Sequence, residues 1–133
     1  MAELAIKPYS CVAFLHPGLD ALLGLQRDNR LAIGDIDSIA LHFARSGTHC
    51  IDSNPLKSHC AQYVLPVALT TEGLRIRDLF FDRRESDADV ARLSSRVTVV
   101  KDDGALEQAF PEHYATVVEI RCGDGRVVSR PLG

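Results

Sequence analysis

Apolar and polar positions recur with two different periods along this chain, and the periods mark out its elements. From Leu15 the apolar residues fall at helical spacing, Leu15, Leu19, Leu22 and Leu23, giving one apolar face. Pro17-Gly18 opens that helix, because a proline in the first turn lacks only an N–H that would have no helical partner there. Asp28-Asn29-Arg30 ends it and Gly34-Asp35 is a turn. From Ile36 to Arg45 the period drops to two: Ile39, Leu41 and Phe43 point one way, Ser38, Ala40 and His42 the other, as in a half-buried strand.

After a polar loop from Ser46 to Pro55, a second helix is expected over about Leu56 to Thr71, with Leu56, Cys60, Tyr63 or Val64, and Val67 on one face. Pro66 interrupts it, at a cost of ~3 kcal/mol unless the helix kinks or starts anew. Gly73 ends the segment and Ile76 to Phe81 reads as a short helix. Ser86 with Asp89 three residues on is a capping-box variant for a helix that buries Val90 and Leu93. Arg96 to Lys101 is a strand, broken by Asp102-Asp103-Gly104. Tyr114 to Cys122 and Arg126 to Arg130 form a hairpin closed at Gly123-Asp124-Gly125, where Asp-Gly is a tight-turn signal because both residues can take positive φ. Helices segregated between strands, with a terminal hairpin, predict an α+β fold: a small, mainly antiparallel four-stranded sheet with helices packed on one face. The other face of such a sheet stays wet or meets a partner.

At 133 residues the chain reads as one domain, 1–133. A net charge of −3, with arginines next to acids as in Arg83-Arg84-Glu85, leaves no basic stripe for nucleic acid. No apolar run is long enough to span a membrane, and the first residues lack a basic region followed by an apolar core. Cytoplasm is the expected location. The four cysteines, Cys11, Cys50, Cys60 and Cys122, show no CxxC spacing and read as reduced, partly buried thiols.

His49-Cys50 and His59-Cys60 invite a zinc reading, but adjacent side chains chelate one ion poorly and the usual ligand spacings are absent. No metal is expected. Cys11 with His16 could form a nucleophile pair, although nothing around them resembles a protease signature. Gly123-Asp124-Gly125 lacks the following helix that a phosphate loop needs. Lys7 precedes a proline, which holds the backbone extended and aims the ammonium away from the helix that follows. Tyr63 on an apolar helix face is by default a core tyrosine whose hydroxyl finds a partner, and His16 by default shapes the start of its helix.

Lys7, Tyr9, Cys11, His16, Pro17, Asp20 and Ala21, in "IKPYSCVAFLHPGLDALLGL", resemble the segment that opens the C-terminal domain of the MmgE/PrpD family. "HCAQYVLPVALTTEG" is similar to that family's tyrosine-bearing helix, "ADVARLSSRVTVVKD" to its helix–strand unit and "VVEIRCGDGRVVS" to its closing hairpin. The family includes 2-methylcitrate dehydratases, cis-aconitate decarboxylase and iminodisuccinate epimerase, all acting on small di- or tricarboxylates without a metal or organic cofactor. The resemblance implies a lid-like domain of a lyase or isomerase in which Lys7 and His16 bind substrate and Tyr63 is catalytic. Lys7 would clamp a substrate carboxylate as charge builds on it, Tyr63 would donate a hydrogen bond, and His16 would chiefly shape the loop. Family members are several-fold longer, and their all-helical N-terminal domain supplies the general base. The implied partners are thus a small carboxylic acid, that helical domain in cis or in trans, and further copies in a homo-oligomer. The alternative expectation is a non-catalytic interaction or oligomerisation module that keeps the fold.

Overall fold

The computed structural model of the chain describes residues 13–71 and 88–132, less the side chains of Lys57 and Thr71. The expectations for Lys7, Tyr9, Cys11, Gly73, the Ile76–Phe81 helix and the Ser86 cap lie outside the described residues. In chain order the elements are α1 (His16–Asp28), β1 (Ile36–Ala44), α2 (Ala61–Thr71), α3 (Ala88–Ser94), β2 (Val97–Asp102), α4 (Ala105–Ala109), β3 (Thr116–Cys122) and β4 (Val127–Leu132). Turns of 3-10 helix cover Ala13–Leu15, Ile33–Asp35, Arg45–Cys50 and Lys57–His59.

The fold is α+β, with strands in the order β2-β1-β3-β4. β3 pairs antiparallel with both β1 and β4, as expected of a mainly antiparallel sheet. β1 and β2 run parallel. The helices between them return the chain to the starting edge, as a parallel pair requires. Registers align the inward-facing residues in rows across the sheet. Val97, Ile39, Ile120 and Val128 form one row, and Val99, Leu41 and Val118 the next.

The helices cover this one face. α1 packs on β3 and β4, and α2 lies against α1, α3 and β2. Leu19 and Leu22 of α1 and Val90 and Leu93 of α3 are buried, as their spacing predicts, whereas Leu23, expected on the same face of α1, is half-buried and Leu25 is buried instead. α2 is buried nearly all round from Ala61 to Leu69, with only Gln62 partly exposed, so it is a core helix rather than an amphipathic surface one. The opposite face carries Thr98, Ala40, Glu119 and Ser129 in one row, and Val100, His42, Val117 and Pro131 in the next. Nε2 of His42 lies 2.7 Å from Oε1 of Glu119 there.

Three local results differ from the sequence reading. α2 begins at Ala61 rather than near Leu56, and Leu56, expected on its apolar face, is exposed. Four residues, Gly123 to Arg126, join β3 to β4; only Gly125 among them takes positive φ (92°), and Asp124 does not. Asp124 instead accepts a hydrogen bond from the Arg126 N–H through its carboxylate, at 2.9 Å. The third difference is α4, one short turn after the Asp102-Asp103-Gly104 break. The Asp102 carboxylate accepts from the Leu106 N–H at 2.8 Å, and Glu107 holds Ser46 through both its N–H and its hydroxyl.

Phe14, Phe43, Phe110 and Tyr114 cluster at the end of the sheet where α1 begins, with ring centroids 4.6–6.0 Å apart. Gly47 lies among them because a side chain would not fit: a Cβ there would sit 2.6 Å from Cε2 of Phe43.

Candidate functional site

Pro66 sits within α2, yet the helix runs through it to Thr71. A proline has no N–H to offer the carbonyl four residues earlier, which here belongs to Gln62. That carbonyl accepts instead from the Ser94 hydroxyl at the end of α3, at 2.8 Å. The interruption expected from the sequence is thus absorbed by a side chain from a neighbouring helix, which also fastens α3 to the first turn of α2.

The Gln62 side chain works in the opposite direction. Its Oε1 accepts from the Ser53 N–H at 2.7 Å, and its Nε2 donates to Oδ1 of Asp52 at 2.8 Å and more weakly to the Val97 carbonyl at 3.4 Å. Ser53 stands in the left-handed region, at φ 54°, where side chains other than glycine are uncommon. Asn54 is fixed beside it, donating to the Cys50 carbonyl at 2.8 Å and accepting from the Leu56 N–H at 2.9 Å.

These elements line an open cavity of about 570 Å³. Ser53, Asn54 and Cys60 line one side, Gln62 and Tyr63 the first turn of α2, and Val90, Ala91, Ser94 and Ser95 the other side. Tyr63 is 3% exposed. Among the described lining residues none is charged. The cavity therefore offers neutral hydrogen-bonding groups together with apolar side chains such as Val90 and Ala91, a chemistry that fits the hydroxyl or uncharged part of a small polar molecule. A carboxylate seated there would need a cation from elsewhere.

Of the residues singled out in the sequence, Tyr63 lines this cavity. His16 is the first residue of α1, half-buried, and is not among the described lining residues. Its helix starts over β1 and β3, where Gly18 packs so closely that a Cβ would lie 2.9 Å from Cδ1 of Leu41. Lys7 lies outside the described residues. Cys50, Cys60 and Cys122 are free thiols, and Cys60 and Cys122 are buried. No group of three or more potential metal ligands occurs among the described residues. Gln62, Ser53 and Ser94 were not singled out. Pro66 carried the one available signal, since a proline inside a helix announces a carbonyl in need of a donor.

Charged groups with shifted titration stand apart from the cavity. The Asp28 carboxyl is held below its ordinary value first by its hydrogen bond from Arg130, and Asp103 by its hydrogen bond from Arg45. Hydrogen bonds from the hydroxyl and N–H of Ser46 lower Glu107. All are at the surface and tie elements together. Among the described residues no helix is long and apolar enough to cross a membrane.

A family model described as the MmgE/PrpD C-terminal domain matches residues 9–132. His16 and Tyr63 fall inside the match and Lys7 just before it. No curated protein matches the chain.

Proposed function

From the premise that this chain belongs to the MmgE/PrpD C-terminal domain family, we propose that it is the lid-like part of a lyase or isomerase for a small di- or tricarboxylate. The observation that carries this reading is Tyr63, which lines a cavity walled by serine, asparagine and glutamine side chains. In that role the Tyr63 phenol donates a hydrogen bond to the substrate or its leaving hydroxyl. The Lys7 ammonium clamps the carboxylate next to the C–H bond that is made or broken. Negative charge grows on that carboxylate in the transition state, so a cation there favours the transition state over the bound acid. His16, the first residue of α1, shapes the start of that helix. The general base comes from an all-helical half, in cis or in trans, and the assembly is a cytoplasmic homo-oligomer. Neither a metal nor an organic cofactor takes part.

The test is dehydration of citrate and 2-methylcitrate by the chain alone and with an all-helical MmgE/PrpD half supplied in trans. Negligible turnover alone, turnover on mixing, and its loss with Lys7→Ala or Tyr63→Phe are expected. Robust turnover by the chain alone would overturn the split-site reading.

The uncovered sheet face favours a second reading, a non-catalytic interaction module. Ala40, Val100, Val117 and Val127 lie on that face beside the His42–Glu119 pair, with no helix over them among the described residues. Capture of an all-helical enzyme half from the source cell supports the enzyme. Capture of an unrelated protein, unaffected by Lys7→Ala, supports the module.

A further inference from the structure

The cavity around Tyr63 has walls from three separate parts of the chain, and Gln62, which belongs to one of them, bonds to the other two. The Gln62 carbonyl holds α3 through Ser94. Its carboxamide oxygen holds the loop through the Ser53 N–H, and its carboxamide nitrogen bonds to Asp52 of that loop and to Val97 at the start of β2. We infer that Gln62 is a positioning residue for the Tyr63 cavity, and that it acts by keeping Ser53 in its left-handed conformation. The inference deepens the proposed function, on whose acid ligand one arm of its test rests.

The physical case turns on Ser53. A serine at φ 54° crowds its Cβ against its own backbone, and such a conformation persists only where the surroundings over-determine it. Here the over-determination is visible. The Ser53 N–H points to Oε1 of Gln62 at 2.7 Å, and the neighbouring Asp52 carboxylate accepts from the same carboxamide at 2.8 Å. Gln62 thus bonds two consecutive residues of the loop with its two polar atoms. That fixes the carboxamide orientation as well as the loop. Without it Ser53 relaxes to negative φ and leaves the cavity wall, while Asn54 keeps its own bonds to Cys50 and Leu56. Tyr63 follows Gln62 directly in α2, so the tyrosine and the wall opposite it are set by one short stretch of helix.

The inference predicts a specific rescue. Glycine takes positive φ without steric cost, so Ser53→Gly removes the strain that Gln62 restrains. Four chains of 133 residues decide the matter: wild type, Gln62→Met, Ser53→Gly and the double variant. Amide hydrogen exchange at residue 53 and citrate affinity are measured on each. Gln62→Met is expected to speed exchange at Ser53 roughly ten-fold and to weaken citrate binding by a similar factor. Ser53→Gly in the Gln62→Met background is expected to restore most of the citrate affinity. A residue that merely stabilises the fold would lower the melting temperature without that rescue. Unchanged exchange at Ser53 in Gln62→Met, or effects that simply add in the double variant, would overturn the inference. Absence of citrate binding by the wild type would count against the proposed function alone, and exchange at residue 53 would still decide the role of Gln62.

Discussion

The hydroxyl of Ser94 takes the place of the N–H that Pro66 lacks: it donates to the Gln62 carbonyl at 2.8 Å, four residues before the proline. The relationship makes two residues on different helices energetically interdependent. Ser94→Ala leaves a part-buried carbonyl without its donor, which costs about 1–3 kcal/mol. In a Pro66→Ala background the residue-66 N–H becomes available to that carbonyl, and Ser94→Ala should then cost less than about 1 kcal/mol. Urea unfolding of the four chains checks this. Equal costs in both backgrounds would show that the two residues are independent.

Tyr63 separates packing from chemistry. Its ring is buried, so Tyr63→Ala should destabilise the chain by about 3–5 kcal/mol. Tyr63→Phe keeps the ring, and its unfolding free energy should stay within about 1.5 kcal/mol of wild type. If the phenol serves as proposed, the same substitution lowers turnover of the reconstituted enzyme by roughly 10²–10⁴-fold. Denaturant melts and citrate dehydration rates, measured on the same preparations, separate the two effects.

Gly47 tests the aromatic cluster. An added Cβ would lie 2.6 Å from Cε2 of Phe43 and 3.0 Å from Cε2 of Phe110. Phe43 is fully buried and packed against Phe14 and Phe110, so its ring has little room to move away. Gly47→Ala should destabilise by about 1–3 kcal/mol through overpacking, measured by thermal unfolding. A Phe110→Leu background, with a smaller neighbour, should reduce that loss.

Acid should weaken the fold through Asp28, Asp103 and Glu107. Hydrogen bonds from Arg130, Arg45 and Ser46 respectively lower their folded pKa values below the ordinary 3.8 of aspartate and 4.5 of glutamate. The unfolded chain therefore binds more protons in that range. The stabilisation is complete above the ordinary values and is lost as pH falls through the lowered ones. The melting temperature is expected to hold between pH 7 and about pH 5.5 and then to decline. Glu107→Gln should make the decline shallower, and added salt should blunt the Asp28 and Asp103 contributions because these groups are exposed.

The elements legible in the sequence were those with a local signal. The Leu15, Leu19, Leu22 and Leu23 spacing and the first-turn proline gave α1 to within a residue or two, and the alternation from Ile36 gave β1 and its two faces. The Asp-Gly signal located the β3–β4 hairpin but not its loop type, because which residue takes positive φ depends on how many residues the strands leave unpaired. α4 has only five residues, too few to show a period. The parallel direction of β2 is not a local property. It follows from where the intervening helices deliver the chain. Tyr63 was readable as a buried tyrosine and, by family resemblance, as a site residue. Its surroundings were not, since the bonds from Gln62 to Ser53 and from Ser94 to Gln62 span 9 and 32 positions.

β1 has β2 on one side and β3 on the other, and Ile39, Leu41 and His42 are in register with both neighbours at once. A residue inserted or deleted there would send the rest of the strand to the wrong side of the sheet and misalign two ladders together. The exposed turn at Gly123–Gly125 is hydrogen-bonded to its own hairpin ends and to the Asp35 carbonyl. Natural length variation, loop grafts and affinity tags therefore belong at that turn, while the central strand admits exchange of side chains but not of chain length.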